Sequence, residues 1–247
     1  MTPTTALIED LSSLETIKTW SLIVTLFGDL DGEPQVVLSG KDIGAILGHI
    51  GIKPEATRVA LHRLKRDGWI DTQRAGREVF YSLSDRGKAE TAAVYVDVYS
   101  QTVKYTEGWQ LMFTEDSAEI PFVRLSRNLV LLPKTKSDTV QGVFLSIETE
   151  KPPVWFEHMI VSAKTLDLAD RLLTLLEDFK RIDTIQSDLD SSALRLLFLH
   201  HWRKMALRES TWAHIWLNKD SPIARCHIGI TTILSTLPKF GMLQKEH

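Results

Sequence analysis

Between residues 15 and 83 the apolar positions recur first at helical and then at strand spacing, and glycine or proline falls at the breaks. Ile17, Trp20, Ile23, Val24 and Phe27 share one face of a helix predicted over residues 15–27. A turn-rich loop follows at 28–34, and Val36-Val37-Leu38 predicts a short strand. Ser39 is a natural N-cap for a helix running to about residue 49, with Gly48 and Gly51 supplying the turn after it. Pro54 then stands where an N1 proline belongs, Glu55 suits the positive helix start, and Ala56, Ala60, Leu61 and Leu64 form the apolar stripe of a second helix. Gly68 stops that helix. Residues 69–72 and 79–83 read as two strands of a hairpin whose tip is Arg74-Ala75-Gly76-Arg77. Helix, turn, helix and two-stranded wing in this order predict a winged helix-turn-helix.

Beyond the wing the pattern changes. Ser84 caps a helix predicted through about residue 105, on which Val94, Val98 and Tyr105 are candidate contacts. From Gly108 onward, 109–114 reads as a strand, 121–127 as a short helix, 129–133 and 143–147 as strands, and 158–163 as another strand. Residues 166–181 carry the helical stripe Leu168, Leu172, Leu175, Leu176 and Phe179. The remainder is helical: 188–208, 211–217, and a helix opened by Ser221-Pro222 that ends before Pro238. The fold class expected is α+β. An N-terminal winged helix-turn-helix occupies 14–90 and a linker helix 91–105. A central ferredoxin-like α+β domain then spans 106–182, and a C-terminal helical domain for effector binding and dimerisation spans 188–247.

Charge sharpens the first of these readings. The chain of 247 residues has a formal net charge of −3, yet from Lys53 to Arg77 seven basic residues face only Glu55, Asp67 and Asp71. Such a local patch attracts phosphate without making the whole protein a general polyanion binder. On the second helix Arg58 and His62 lie four residues apart and share a face, opposite the stripe that fixes the helix on its own unit. Lys53, Arg58, His62, Arg63, Lys65, Arg66, Arg74 and Arg77 are therefore the candidate DNA contacts. The expected partner is a double-stranded operator, and a reader that covers one half-site implies a homodimer on an inverted repeat.

Other classes find little support. The single Cys226 cannot form an internal disulfide, which points to a reducing compartment, and the cytoplasm is expected. No apolar run is long enough to span a bilayer, and no membrane partner is expected. The sequence lacks a CxxC pair, a Walker A loop, a GxGxxG turn, an HExxH helix and a GxSxG elbow, so no catalytic residue is assigned and the chain is not read as an enzyme.

Three segments carry a resemblance. Residues Ser21 to Asp29, Arg58-Val59-Ala60-Leu61-His62-Arg63-Leu64 with Asp67-Gly68-Trp69, and Tyr81 to Gly87 are similar to the PaaX family, bacterial repressors of phenylacetic acid catabolism. Gly108-Trp109 and His201-Trp202-Arg203 with Leu207-Arg208 extend the likeness over most of the chain. The resemblance implies a repressor released from its operator by an aryl-CoA thioester such as phenylacetyl-CoA, an effector rather than a cofactor. On that reading Trp109, Trp155, Trp202, Trp212 and Trp216 would supply apolar walls. Arg124, Arg127, Lys134, Lys136, Arg203, Lys204 and Arg208 would supply cations for the CoA phosphates. The effector contacts expected are Arg124, Arg127, His201, Trp202, Arg203 and Arg208.

Two further groups of residues compete. His200, His201, His214, Cys226 and His227 crowd the last segment, and imidazoles with a thiol suit zinc, the basis of a metal-sensing alternative. Their spacing matches no usual zinc module, and no metal ligand is assigned. Glu115-Asp116, at the end of the first central strand, would suit magnesium for phosphodiester hydrolysis, the basis of a metal-dependent nuclease alternative.

Overall fold

The computed structural model describes residues 2–30, 37–105, 107–115, 122–147 and 153–240. The N-terminal unit forms as its local chemistry dictates. Ser39 Oγ accepts from the Asp42 N–H at 3.0 Å while Asp42 Oδ2 accepts from the Ser39 N–H at 3.3 Å, a reciprocal cap that opens α3 (Gly40–His49). Gly51, at φ +88°, then turns the chain into α4 (Pro54–Arg66). In the wing β2 (Ile70–Ala75) pairs with β3 (Glu78–Leu83), and Ala75 opposite Glu78 leaves Gly76-Arg77 as a two-residue tip. The short β1 (Leu38–Ser39) joins the far side of β3, giving the order β1-β3-β2. The strand expected over 36–38 is thus shifted onto Ser39, and Val36 lies outside the described residues.

Two helices precede α3. The one read over 15–27 is α2 (Thr19–Leu30), and before it runs α1 (Pro3–Ser13), capped by Thr2 and burying Leu7, Ile8 and Leu11. The helix read over 84–105 is α5 (Asp85–Tyr99). Ser84 caps it as expected, but it stops at Ser100, whose hydroxyl donates to the Thr102 carbonyl instead of continuing the ladder.

The central segment is where expectation and structure part. Its sheet is wholly antiparallel, in the order β5-β6-β4-β7, from β4 (Trp109–Phe113), β5 (Val123–Arg124), β6 (Leu129–Pro133) and β7 (Val143–Ser146). Counted along the chain the strand order is 2-3-1-4, the order of a ferredoxin-like sandwich, and among the described residues a 3-10 turn, Lys134–Thr139, stands where its second crossover helix would lie. The helix expected over 121–127 is instead β5, an edge strand whose Val123 is buried opposite Leu131. The strand expected over 158–163 is instead the end of α6 (Val154–Ile160), which Pro153 opens and which buries Ile160. Both were short apolar runs, in which periodicity does not separate helix from strand. The α+β class itself stands.

The C-terminal helices follow the predicted pattern: α7 (Ala163–Phe179), α8 (Asp188–Ala206), α9 (Glu209–Leu217) and α10 (Pro222–Thr236). Serine caps α7, α8 and α10, and Pro222 stands in the first turn of α10. α8 is buried on every side from Ala193 to Trp202, the mark of a helix at the centre of a core. α1, α2, α3, α5, α7, α9 and α10 all pack on it. Polar side chains fix these contacts. His201 Nε2 meets the Leu11 carbonyl at 2.9 Å, His200 Nδ1 meets Thr25 Oγ1 at 3.1 Å, and Trp202 Nε1 donates to the Val98 carbonyl at 3.0 Å. Arg195 grips Asp29 with Nε and Nη2 at 2.6 and 2.8 Å, both side chains being buried, and its Nη1 donates to the carbonyls of Leu234 and Leu237. α8 thus holds the helix-turn-helix directly. Among the described residues no helix is long and apolar enough to cross a membrane.

Candidate nucleic-acid interface

α4 is anchored by Thr57, Ala60, Leu61 and Leu64, all buried. Ala56, expected in that stripe, is exposed, and Thr57 takes its place with Oγ1 3.5 Å from the Lys53 carbonyl. The opposite side of the helix therefore faces solvent with Arg58, Val59, His62, Arg63, Lys65 and Arg66. Arg74 and Arg77 are exposed at the wing tip. All eight residues proposed for DNA contact thus sit on one winged unit and at its surface.

They are not equivalent. Arg63 Nε and Arg66 Nε lie 3.4 and 3.1 Å from the two Asp67 oxygens. The Arg63 guanidinium also covers the Trp20 ring at 5.4 Å. Hydrogen bonding from Arg66, with Arg63 beside it, holds the Asp67 carboxyl below its usual range. Lys65 Nζ donates to Thr72 Oγ1 at 2.7 Å and so ties α4 to the wing. By contrast no side-chain hydrogen bond or ion pair among the described residues engages Lys53, Arg58, His62, Arg74 or Arg77. The N-cap of α4 is Lys53, which provides no side-chain cap, so the first amides of the helix keep the partial positive charge that attracts phosphate. Two residues escaped the sequence reading. Val59, 67% exposed between Arg58 and His62, offers a methyl surface of the kind that meets thymine, and Lys41 is exposed in the first turn of α3. A search for charge overlooks the first, and the second lies upstream of the basic cluster.

The effector contacts expected in the body are differently placed. His201 and Trp202 are fully buried and bonded to backbone carbonyls, so they serve packing rather than a ligand. Trp109 and Trp212 are likewise core, whereas Trp155 is 65% exposed. Arg124 Nη1 donates to the Arg127 carbonyl at 2.8 Å, and Arg208 Nη1 donates to Thr165 Oγ1 at 3.1 Å. Lys204 pairs with Glu15 at 3.0 Å. Arg203 alone of the six expected contacts lines a cleft between α2, Trp69, α5 and α8.

The residues offered for metal are dispersed. His214 faces Glu157 at 3.1 Å, His227 meets the Ser100 carbonyl at 2.8 Å, and Cys226 Sγ donates to the Ala169 carbonyl. His200 and His201 serve α2 and α1, and among the described residues no three His, Cys, Asp or Glu side chains come together as a metal site. The zinc-sensing alternative thereby loses its ligand set. Glu115 is exposed after β4, and Asp116 lies outside the described residues.

The geometry of residues 38–83 defines a winged helix-turn-helix with a basic, uncommitted reading face. Residues 18–87, the winged unit with the helix before it, match the family model described as PaaX-like protein. The chain is 31% identical over 111 residues to the transcriptional repressor PaaX of Escherichia coli strain K12, an alignment that covers 44% of this chain and 35% of that repressor. The solved structure of the uncharacterised protein Rv0674 from Mycobacterium tuberculosis superposes with a TM-score of 0.50 at 16% identity, over 87% of this chain and 93% of that one, and supports the fold alone.

Proposed function

We propose that the chain is a DNA-binding transcriptional repressor of an aromatic-acid catabolic operon of the phenylacetate type, and not an enzyme. The observation that carries this reading is the uncommitted basic surface formed by Arg58 and His62 on α4 with Arg74 and Arg77 on the wing, within the segment that matches the PaaX-like family. α4 enters the major groove, where Arg58, Val59 and His62 meet base edges. Lys53 and the wing arginines hold phosphates. A homodimer places two such units on an inverted repeat.

The effector in this reading is an aryl-CoA thioester such as phenylacetyl-CoA, favoured by the family resemblance. Among the cations expected to meet it, Arg127 and Arg203 keep guanidinium groups that form no ion pair among the described residues. Release requires that the thioester bind the arrangement incompetent for DNA more tightly than the competent one, because equal affinity shifts nothing. The test is a titration of complexes between the protein and the DNA flanking its own gene, followed by fluorescence anisotropy. Phenylacetyl-CoA should dissociate the complex, whereas phenylacetate and free CoA should leave it intact. No complex at all would remove the repressor reading, and a complex indifferent to the thioester would remove the effector.

A further inference from the structure

The cations of α4 stand at the edges of its exposed side, and the middle is of another character. The helix is anchored through Thr57, Ala60, Leu61 and Leu64. At about 3.6 residues per turn, the row Glu55, Val59, His62 and Arg66 falls directly opposite those anchors. Arg58 and Lys65, seven residues apart, lie on the flank toward the wing, where Lys65 reaches Thr72. Arg63 lies on the other flank, over Trp20 of α2, and Arg66 is drawn to Asp67. The first two members of the middle row are therefore an acid and an aliphatic side chain. Among the described residues no hydrogen bond or ion pair engages the Glu55 carboxylate, and Val59 is 67% exposed.

A surface that only held phosphate would carry cations along its middle row, and a carboxylate there works against such binding. Val59 contributes no charge, and in an exposed helix a β-branched side chain serves the fold less well than alanine or lysine. Both choices make sense against base edges. A carboxylate only accepts hydrogen bonds, so its partner must donate, and in the major groove the cytosine N4 amine does so. An aliphatic side chain finds its match in the thymine C5-methyl group. Glu55 and Val59 are one helical turn, about 6 Å, apart, so the two bases lie within a step or two of each other at about 3.4 Å per base. We propose that Glu55 and Val59 are specificity-determining residues of the interface. The Glu55 carboxylate accepts from the amine of a cytosine, and Val59 packs on the methyl group of a nearby thymine in each half-site. The proposal rests on the repressor reading and names the bases that its reading head selects.

The experiment selects duplexes from a random library with the full chain and then edits the selected sequence one group at a time, with binding followed by fluorescence anisotropy. Replacing thymine by deoxyuridine removes the methyl group alone. At one thymine per half-site this should weaken the wild-type complex about fourfold, the worth of one methyl taken out of water. Val59→Ala, an exposed change to a better helix former, should be indifferent to that replacement. Glu55→Ala should bind scrambled duplex more tightly, having lost a repulsion, and the selected duplex more weakly, so that the ratio of the two falls at least fivefold. Its own selection should lose the cytosine at one position. A carboxylate that merely stabilised the helix start would leave that ratio unchanged. Uridine tolerated at every thymine, or felt equally by Val59→Ala, would overturn the role of Val59. An unchanged ratio, or a cytosine preference that survives Glu55→Ala, would overturn that of Glu55. Binding without any selected sequence would reject base reading by both while leaving DNA binding intact, whereas no binding to any duplex would remove the repressor reading and this proposal with it.

Discussion

Arg58 and His62 lie on the exposed side of α4, and neither side chain is held by a neighbour, whereas Arg63 and Arg66 are drawn toward Asp67. The division predicts a difference in effect. Arg58→Ala should cost about 1–3 kcal/mol on the operator if the guanidinium reads a guanine, with a much smaller loss on scrambled duplex. Arg66→Ala should cost less, because its exposed pair with Asp67 already competes for the same charge. Binding isotherms on both duplexes decide the matter; equal losses from Arg58→Ala on operator and scramble would assign it to phosphate. At the wing tip the expectation is of another kind. Arg77→Ala should weaken both complexes alike and flatten the log–log salt dependence by about one unit for the lost phosphate contact. An unchanged slope with unchanged affinity would take the wing off the DNA.

At the scale of elements the interface of α8 with α1 and α2 carries the most consequential chemistry. His200 and His201 are buried there, and burial pulls their pKa values from 6.5 down to about 3 and about 4. Folding therefore holds both imidazoles neutral, while the unfolded chain takes up protons below about pH 6.5. Their contribution is fully present above that pH and is lost as pH falls toward 4. At pH 5 the loss is on the order of 2 kcal/mol for each, from 1.5 pH units at about 1.4 kcal/mol per unit. Urea midpoints at pH 7.5 and 5 measure it, and His200→Gln should reduce the difference; an undiminished difference would place the acid sensitivity elsewhere. The buried pair nearby predicts a larger effect. Asp29→Asn leaves the Arg195 guanidinium buried without its counter-charge, so unfolding free energy should fall by about 3–5 kcal/mol. Little of this interface was legible in advance. Ser39, Ser84 and Ser221 announce their helices because a cap is a local event within a few residues, and the exposed side of α4 followed from its stripe. The partners of Arg195, His200 and His201 stand far along the chain, and only folding brings them together. The same limit explains why His201 and Trp202 suggested ligand contacts when their polar atoms in fact bind backbone.

At the scale of the molecule the question is how a single reading head becomes a specific one. One winged unit covers a half-site, and two-fold readers place their heads about 34–36 Å apart, one turn of duplex. The described structure ties α2, α3 and α5 to α8, so a dimer contact made on the body or on α5 sets that spacing directly. Val98 and Tyr105, first considered for the contact, are engaged inside the subunit: Val98 is buried, and the Tyr105 hydroxyl donates to Glu209 at 3.3 Å. The outer side of α5 instead presents Val96, 65% exposed, beside Tyr95. If this side joins two copies, Val96→Asp places charge at the contact without disturbing the core. Sedimentation equilibrium at micromolar concentration should then show a wild-type dimer and a Val96→Asp monomer, with operator affinity reduced at least tenfold and the far-UV spectrum unchanged. A dimer that survives Val96→Asp moves the interface away from α5, whereas a wild-type chain that stays monomeric both free and on its operator removes the two-fold arrangement itself.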